Sequence, residues 1–240
     1  MHTENQKHSP NPEIIRSMFS KVAANYDKGN NVLSMGVHHL WRKKLVKFSG
    51  AKLGDRVLDC ATGTGDLAIE FKQTVGSAGQ VTGTDFCAEM LIPAPGKAAN
   101  RGLDIKFEQA DVTQLNYADN SFDISSISFG IRNVGNPVKG LAEMARVTRS
   151  GGQVMILEFG QVNIPVFGAL YNFYSQNILP KIGGLVTGQK DAYEYLQKSS
   201  AAFPCRDEFV AMMNETGAFS KCEYMTLTGG IAYIYKGTVK

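Results

Sequence analysis

From residue 56 onward the apolar residues fall into short runs separated by stretches of helical spacing, an alternation that predicts a parallel sheet with helices on both faces. Strands are expected near 56–61, 80–85, 104–109, 121–128 and 152–158, with helices near 66–75, 87–99 and 137–148 between them. Pro93 and Pro95 argue against the middle helix continuing beyond its first turn. Farther on, 206-RDEFVAMMNETG-217 reads as a helix with a glycine stop. Two last strands, near 219–227 and 231–237, flank Gly229-Gly230 and read as an antiparallel hairpin. Ahead of the sheet, Asn11 suits a helix cap and Pro12 the first helical position, while Ile14, Ile15, Met18, Phe19 and Val22 recur on one helical face. A second segment, 38-HHLWRKKLVKF-48, sets Leu40, Trp41, Leu45, Val46 and Phe48 among Arg42, Lys43, Lys44 and Lys47. It reads as a core helix with a solvated basic face, the alternative being a surface that meets anionic lipid.

Composition narrows the function classes. With 240 residues, 43% of them hydrophobic, one domain with a full-sized core is expected. A net charge of +3, from 25 basic and 22 acidic residues, gives no reason to expect nucleic acid as a partner. Cys60, Cys87, Cys205 and Cys222 lie far apart, and the opening MHTENQKHSPNPE is too polar for a signal peptide, so a cytoplasmic home is expected. The histidines and cysteines have no metal-ligand spacing, so no metal site is expected. The greasy stretch 164-IPVFGALYNFYSQNILPKIGGLV-186 is interrupted by Asn172, Ser175, Gln176, Asn177, Pro180 and Lys181 and does not read as a spanning helix.

The chemistry concentrates in 57-VLDCATGTGDL-67, an apolar strand that ends in an acid, breaks into glycines and restarts as a helix. In an open parallel sheet, ligands collect outside the carboxyl ends of the strands. Gly63 and Gly65 let the backbone approach a ligand, and the helix from Asp66 aims its free N–H groups at it. Gly63, Gly65 and Ala68 also satisfy a dinucleotide fingerprint, with Asp85 at the distance of a ribose-binding acid, so an NAD-dependent reductase stays in play. Charge separates the two ligands. A dinucleotide brings a pyrophosphate, whereas S-adenosylmethionine brings an ammonium and a sulfonium, and the acids Asp59 and Asp66 beside the loop suit the cation better. Asp85 is placed to accept both ribose hydroxyls, and Asp111 to meet the adenine amino group.

The ordered set 59-DCATGTGD-66, 84-TDF-86, 110-AD-111, 121-SFD-123 and 151-GG-152 resembles the class I S-adenosylmethionine-dependent methyltransferases. From about residue 13 to the C-terminus the chain is similar to the ubiquinone/menaquinone biosynthesis C-methyltransferase family. The matching stretches include 18-MFSKVAANYD-27, 41-WRKKLV-46, 120-NSFDISSISFGIRNV-134, 171-YNFYSQNILPKIGGLV-186, 192-AYEYLQKS-199 and 228-TGGIA-232. Asn116-Tyr117, Ser150 and 92-IPAPG-96 depart from the family pattern, at the rim of the cleft. The resemblance implies a Rossmann-like α/β fold with a mostly parallel seven-stranded sheet and an antiparallel C-terminal hairpin. It implies one methyltransferase domain over 1–240: an N-terminal helical extension (1–50), a cofactor-binding core (51–160), a substrate lid (161–205), and a C-terminal helix and hairpin (206–240). It also implies S-adenosyl-L-methionine as cofactor, leaving as S-adenosyl-L-homocysteine, with contacts at Thr62, Asp85, Phe86, Asp111, Val112 and Ser128 beside the Asp59, Gly63 and Gly65 of the loop.

The implied reaction is methyl transfer to a ring carbon of a polyprenylated hydroquinone, demethylmenaquinol or a methoxybenzoquinol. Carbon becomes nucleophilic when an O–H proton is drawn off and phenolate charge spreads into the ring. In 129-FGIRN-133, Arg132 is placed to stabilise that charge, with Asn133 as a second donor. The candidate bases are His38, His39 and the polar pair Tyr26-Asp27, with Glu158 facing the same cleft. The lid residues Phe167, Leu170, Tyr171, Phe173, Tyr174, Ile178 and Leu179 suit an isoprenoid tail or a homodimer face. Peripheral attachment to the inner membrane is expected through this lid or the Arg42–Lys47 segment. A non-catalytic scaffold subunit of the same fold is the third reading.

Overall fold

The computed structural model describes residues 10–162, 164–165, 168, 174–178 and 188–240. Three N-terminal helices come first, α1 (Pro12–Val22), α2 (Tyr26–Ser34) and α3 (Val37–Ser49). There follow β1 (Arg56–Cys60), α4 (Asp66–Val75), β2 (Gln80–Asp85), α5 (Ala88–Leu91), α6 (Ala94–Ala99), β3 (Lys106–Gln109), β4 (Phe122–Ser128), α7 (Pro137–Val147) and β5 (Thr148–Phe159). The chain closes with α8 (Lys190–Ala202), α9 (Asp207–Glu215), β6 (Phe219–Leu227) and β7 (Ala232–Val239).

The strands form one seven-stranded sheet in the order β3-β2-β1-β4-β5-β7-β6. β1 to β5 run parallel, and β7 inserts antiparallel between β5 and β6. The expected parallel sheet and closing hairpin are both present. Central strands are apolar on both faces because both are covered. Leu58, Cys60, Ile156, Tyr233 and Tyr235 pack with Leu141, Met144, Phe209 and Met213 of α7 and α9. Their neighbours Val57, Met155, Leu157 and Ile234 pack on the opposite side with Trp41, Leu45, Phe71 and Val75 of α3 and α4.

Local signals explain the boundaries. Asn11 Oδ1 accepts from Glu13 N at 2.9 Å, capping α1 ahead of Pro12. Pro93 and Pro95 divide the expected helix over 87–99 into α5 and α6. β5 begins four residues earlier than its apolar run, because Thr148 pairs with Phe122 and a register shift at Gly151-Gly152 restores the ladder at Gln153 opposite Ile124. A Cβ on Gly152 would meet Asp123 O at 2.7 Å, so glycine suits the bulge. Ile14, expected on the buried face of α1, is exposed, and Leu40 of α3 likewise faces outward.

Candidate functional site

The strand order reverses between β1 and β4, and a cavity of about 290 Å³ opens there at the carboxyl ends of the strands. Gly63 lines it after β1, Asp85 and Phe86 after β2, Asp111 and Val112 after β3, and Ser128, Gly130 and Asn133 after β4. Ile15, Arg16 and Phe19 of α1 line its outer side. A second, larger cavity of about 460 Å³ is walled by Met18, Val22, Trp41, Phe129, Phe159 and Leu196, with Arg132, His38, Tyr174 and Tyr195 among them. Phe19, Tyr26 and Phe129 line both cavities, so the two adjoin.

The glycine turn has the conformation its sequence requires. Gly63 and Gly65 have φ of 58° and 85°, where side chains are strained. Gly65 has no room for one either, since a Cβ would lie 3.0 Å from the Phe107 ring. Asp85 ties the turn to β2: its carboxylate accepts from Gly63 N and Cys87 N, both at 2.9 Å. Burial nonetheless pushes Asp85 up to about 6. Asp111 Oδ1 accepts from Thr113 N at 2.8 Å. Ser128 Oγ is buried with no hydrogen-bond partner among the described residues, an orphan acceptor and donor on the cavity wall.

Two acids read as flanking the ligand do other work. Asp59 lies beneath the turn, accepting from Thr62 Oγ1 at 2.6 Å and Ser126 Oγ at 2.7 Å, and burial pushes it up to about 6. Asp66 is paired with Arg42 at 3.2 Å and Lys97 at 2.6 Å, and these cations hold it below the usual carboxylate range despite its burial. Thr62 and Gly65 support the turn without lining the cavity. The charge argument for a cationic ligand therefore rests on Asp85 and Asp111, not on Asp59 and Asp66.

Lys97 gathers the N-terminal helices onto the turn. Its ammonium donates to Asp27 at 2.7 Å, Thr64 Oγ1 at 3.0 Å and Asp66 at 2.6 Å, and Thr64 donates to Asp27 at 2.6 Å. Asp27, taken as half of a base pair with Tyr26, is thus engaged in this network, while Tyr26 alone reaches the cavities. His39 is exposed and bonded to Asn31 at 2.8 Å; the buried His38 is the histidine on the cavity wall. Consecutive residues on a helix point about 100° apart, so only one of the pair can face inward. His38, His39 and Asp66 each bring one ligand atom within 4.8 Å of the others, but Arg42 and Lys97 already neutralise that carboxylate.

Arg132 sits in a short 3₁₀ turn after β4, 7% exposed. Its Nη1 donates to Glu158 Oε1 at 2.8 Å and to Phe129 O at 2.5 Å, and its guanidinium lies 5.5 Å from the Phe159 ring centre. Burial outweighs the arginine and raises Glu158 above the ordinary carboxylate range. Phe129 has φ of 56°, a strained value for a bulky residue, and stacks on Phe159 at 4.4 Å. Asn133 Oδ1 accepts from Tyr195 OH of α8 at 2.9 Å, joining that helix to the loop between the cavities. Periodicity gave no sign of the Tyr195, Trp41, Phe159 and Lys97 contributions, because each meets the site across a long sequence separation. Phe167, Leu170, Tyr171, Phe173 and Leu179, and the side chain of Ile178, lie outside the described residues.

Known proteins share both sequence and fold. A protein of Bdellovibrio bacteriovorus named ubiquinone/menaquinone biosynthesis C-methyltransferase is 86% identical over 233 residues, covering 97% of this chain and 99% of that relative. A protein of the same name from Stenotrophomonas maltophilia is 43% identical over 94% of this chain and 89% of its own. Among solved structures, a SAM-dependent methyltransferase from Aquifex aeolicus superposes with a TM-score of 0.61 at 18% identity, over 83% of this chain and 89% of its own. The cyclase SpnF does so with 0.65 at 16% identity, over 91% and 76%. At such identities the likeness carries the fold and not the chemistry. Residues 3–239 match the sequence profile of the ubiE/COQ5 methyltransferase family, and the chain belongs to that family.

Proposed function

We propose that this protein is an S-adenosylmethionine-dependent C-methyltransferase that methylates a ring carbon of a polyprenyl-tailed hydroquinone in menaquinone or ubiquinone biosynthesis. The observation that carries the reading is its 86% identity, along nearly the whole of both chains, to a relative bearing that name. The paired cavities support it: one sits at the switch point and is lined by Asp85 and Asp111, and the adjoining one is larger and walled mainly by aromatic and aliphatic side chains.

The residues present fit the cofactor. Ser128 Oγ is a buried polar atom with no partner among the described residues, and Asp85 and Asp111 bring carboxylates to the same cavity as Gly63, Phe86 and Val112. These would hold S-adenosylmethionine, with Asp59 and Thr62 bracing the turn from below. When bound, that molecule supplies an electrophilic methyl on a sulfonium. The remaining work belongs to the chain. The larger cavity holds the ring and the start of its tail, and excludes water from the reacting carbon. Holding two reactants in line is worth up to about 7–11 kcal/mol of barrier. The Arg132 guanidinium stabilises phenolate character on the ring oxygen, and the Asn133 amide adds a donor from the wall of the smaller cavity.

Within this reading the chain is a single methyltransferase domain over 1–240, with 1–50 assigned as a helical cover, 51–160 as the cofactor core, 161–205 as the substrate lid and 206–240 as the closing helix and hairpin; residues 1–9 and much of 163–187 lie outside the described residues. Exposed Leu40 shares a face of α3 with Lys43 and Lys44, three and four residues on, and this face meets anionic lipid from which the tailed substrate is drawn. Arg42 takes no part, being buried against Asp66. Among the described residues no helix is long and apolar enough to cross a membrane. The test is direct: purified protein, S-adenosylmethionine and a reduced demethylmenaquinol should yield a product one methyl heavier by mass spectrometry. No methylated product from either a naphthoquinol or a methoxybenzoquinol would refute the reading.

A further inference from the structure

The larger cavity carries one polar group that the mechanism above leaves idle, the imidazole of His38. It lies in the first turn of α3, is buried, and lines the cavity with Ser34, Trp41 and Arg132. The position of its proton follows from the bonds around it. Ser34 has a single hydroxyl proton, which it donates to Asn30 O at 2.7 Å. Ser34 Oγ is also hydrogen-bonded to His38 Nδ1, and with its own proton committed it must accept there. Nδ1 therefore bears the hydrogen, and Nε2 presents a bare lone pair.

Burial, with the Arg42 guanidinium nearby, pushes His38 down to about 3, so the ring stays neutral across the physiological range. His39, Asp66 and Lys97 also act on it and do not reverse this direction. Nε2 has no hydrogen-bond partner among the described residues. Arg132, with a donor-only guanidinium, and His38, with one acceptor nitrogen left without a partner, line the same cavity.

A hydroquinone and its quinone have nearly the same shape but opposite hydrogen-bonding character. The reduced ring carries O–H donors; the oxidised ring carries only carbonyl acceptors. Only the reduced ring is electron-rich enough to attack a methyl group, so a site that also retained the quinone would be blocked by an unreactive look-alike. We propose that His38 Nε2 discriminates the redox state of the substrate, accepting a hydrogen bond from a hydroxyl of the hydroquinone and opposing the carbonyl of the quinone. This rests on the hydroquinone reading of the cavity. Facing lone pairs leave two buried polar atoms unsatisfied, a penalty sufficient for discrimination of about tenfold or more.

The experiment uses the full chain and a short-tailed naphthoquinone lacking the ring methyl, supplied as quinol under dithionite and as quinone under air. Equilibrium dialysis gives the dissociation constant of each form in its own buffer, and S-adenosylhomocysteine titration reports whether the cofactor cavity is intact. Wild type should prefer the quinol by at least about tenfold. His38→Gln, whose amide can turn either N–H or C=O to the ring, should bring the two constants close together while S-adenosylhomocysteine affinity is retained. Nitrogen-15 NMR of the wild type should show His38 protonated on Nδ1. Methylation with an unchanged preference in His38→Gln, or an Nε2–H tautomer in the wild type, overturns the proposal alone. A wild type that methylates neither naphthoquinol nor methoxybenzoquinol overturns the substrate reading and the proposal with it.

Discussion

Arg132 and Glu158 form an ion pair at 2.8 Å with both side chains almost wholly out of water, and the same guanidinium nitrogen holds the carbonyl of Phe129, the strained residue that lines both cavities. The pair therefore connects the end of β5 to the wall shared by the two cavities. Its removal has two separable consequences.

Breaking the pair from the acid side leaves a buried cation without a counter-charge. Glu158→Gln should destabilise the protein by roughly 3–5 kcal/mol, measured by urea unfolding of the ligand-free chain. An unchanged midpoint would mean that Arg132 swings out to water and that the clamp on Phe129 is dispensable.

Replacing the cation by a different one probes the chemistry. Arg132→Lys keeps the charge but loses the planar fork that serves Glu158 and Phe129 together. Turnover should fall by about a hundredfold or more, a loss of order 3 kcal/mol in transition-state stabilisation, while S-adenosylhomocysteine affinity changes far less. Equal losses in both quantities would place Arg132 in cofactor binding instead.

Ser128 predicts effects of opposite sign on stability and binding. Its hydroxyl is buried and has no partner among the described residues, so Ser128→Ala removes an unsatisfied group and should leave the melting temperature unchanged or raise it by a few degrees. Affinity for S-adenosylhomocysteine should drop by about tenfold, the worth of one hydrogen bond. Calorimetry and thermal melting on the same sample test both halves, and a fall in melting temperature without loss of affinity would count against the assignment.

The raised carboxyls set a pH dependence with a definite sign. Asp59 and Asp85 move up to about 6 from an ordinary 3.8, so between those values the folded protein holds more protons than the unfolded chain. Their contribution to stability therefore declines as pH rises from about 4 to 6 and is level above that. Acids with lowered values, such as Asp66 and Asp123, act in the opposite direction, so the isolating measurement is a difference. The stability of Asp85→Asn relative to wild type should improve as pH rises through this window. S-adenosylhomocysteine affinity of the wild type should strengthen over the same interval, as Asp85 ionises. A flat difference would show that Asp85 is already charged at pH 5.

Lys97 predicts a local effect. Its three bonds tie Asp27 of α2 to the glycine turn. Lys97→Met should cost only about 1 kcal/mol globally, since the group is partly solvated, yet speed proteolytic cleavage within residues 26–34 several-fold. Unaltered cleavage would mean that packing of Phe19 and Tyr26 holds the cover unaided.

The sequence alone determined the sheet, its covering helices and the placement of the glycine turn, because those follow from interactions within a few residues: alternating apolar positions, an Asn-Pro helix start, prolines that break α5 from α6, glycines with positive φ. It also pointed to Gly63, Asp85 and Asp111, since motifs after consecutive parallel strands converge at one edge of the sheet, and the family resemblance added Ser128. Tertiary structure decided what those groups face. Asp59 and Asp66 look equivalent to Asp85 in the chain, yet one is buried under the turn and the other is neutralised by Arg42 and Lys97. His38 and His39 are adjacent, and only packing selects which one enters the cavity. Helical and strand periods are short-range and can be read along the chain, whereas burial, ion pairing and the emptiness of a cavity depend on residues far apart in sequence, whose meeting is settled only when the whole chain has packed.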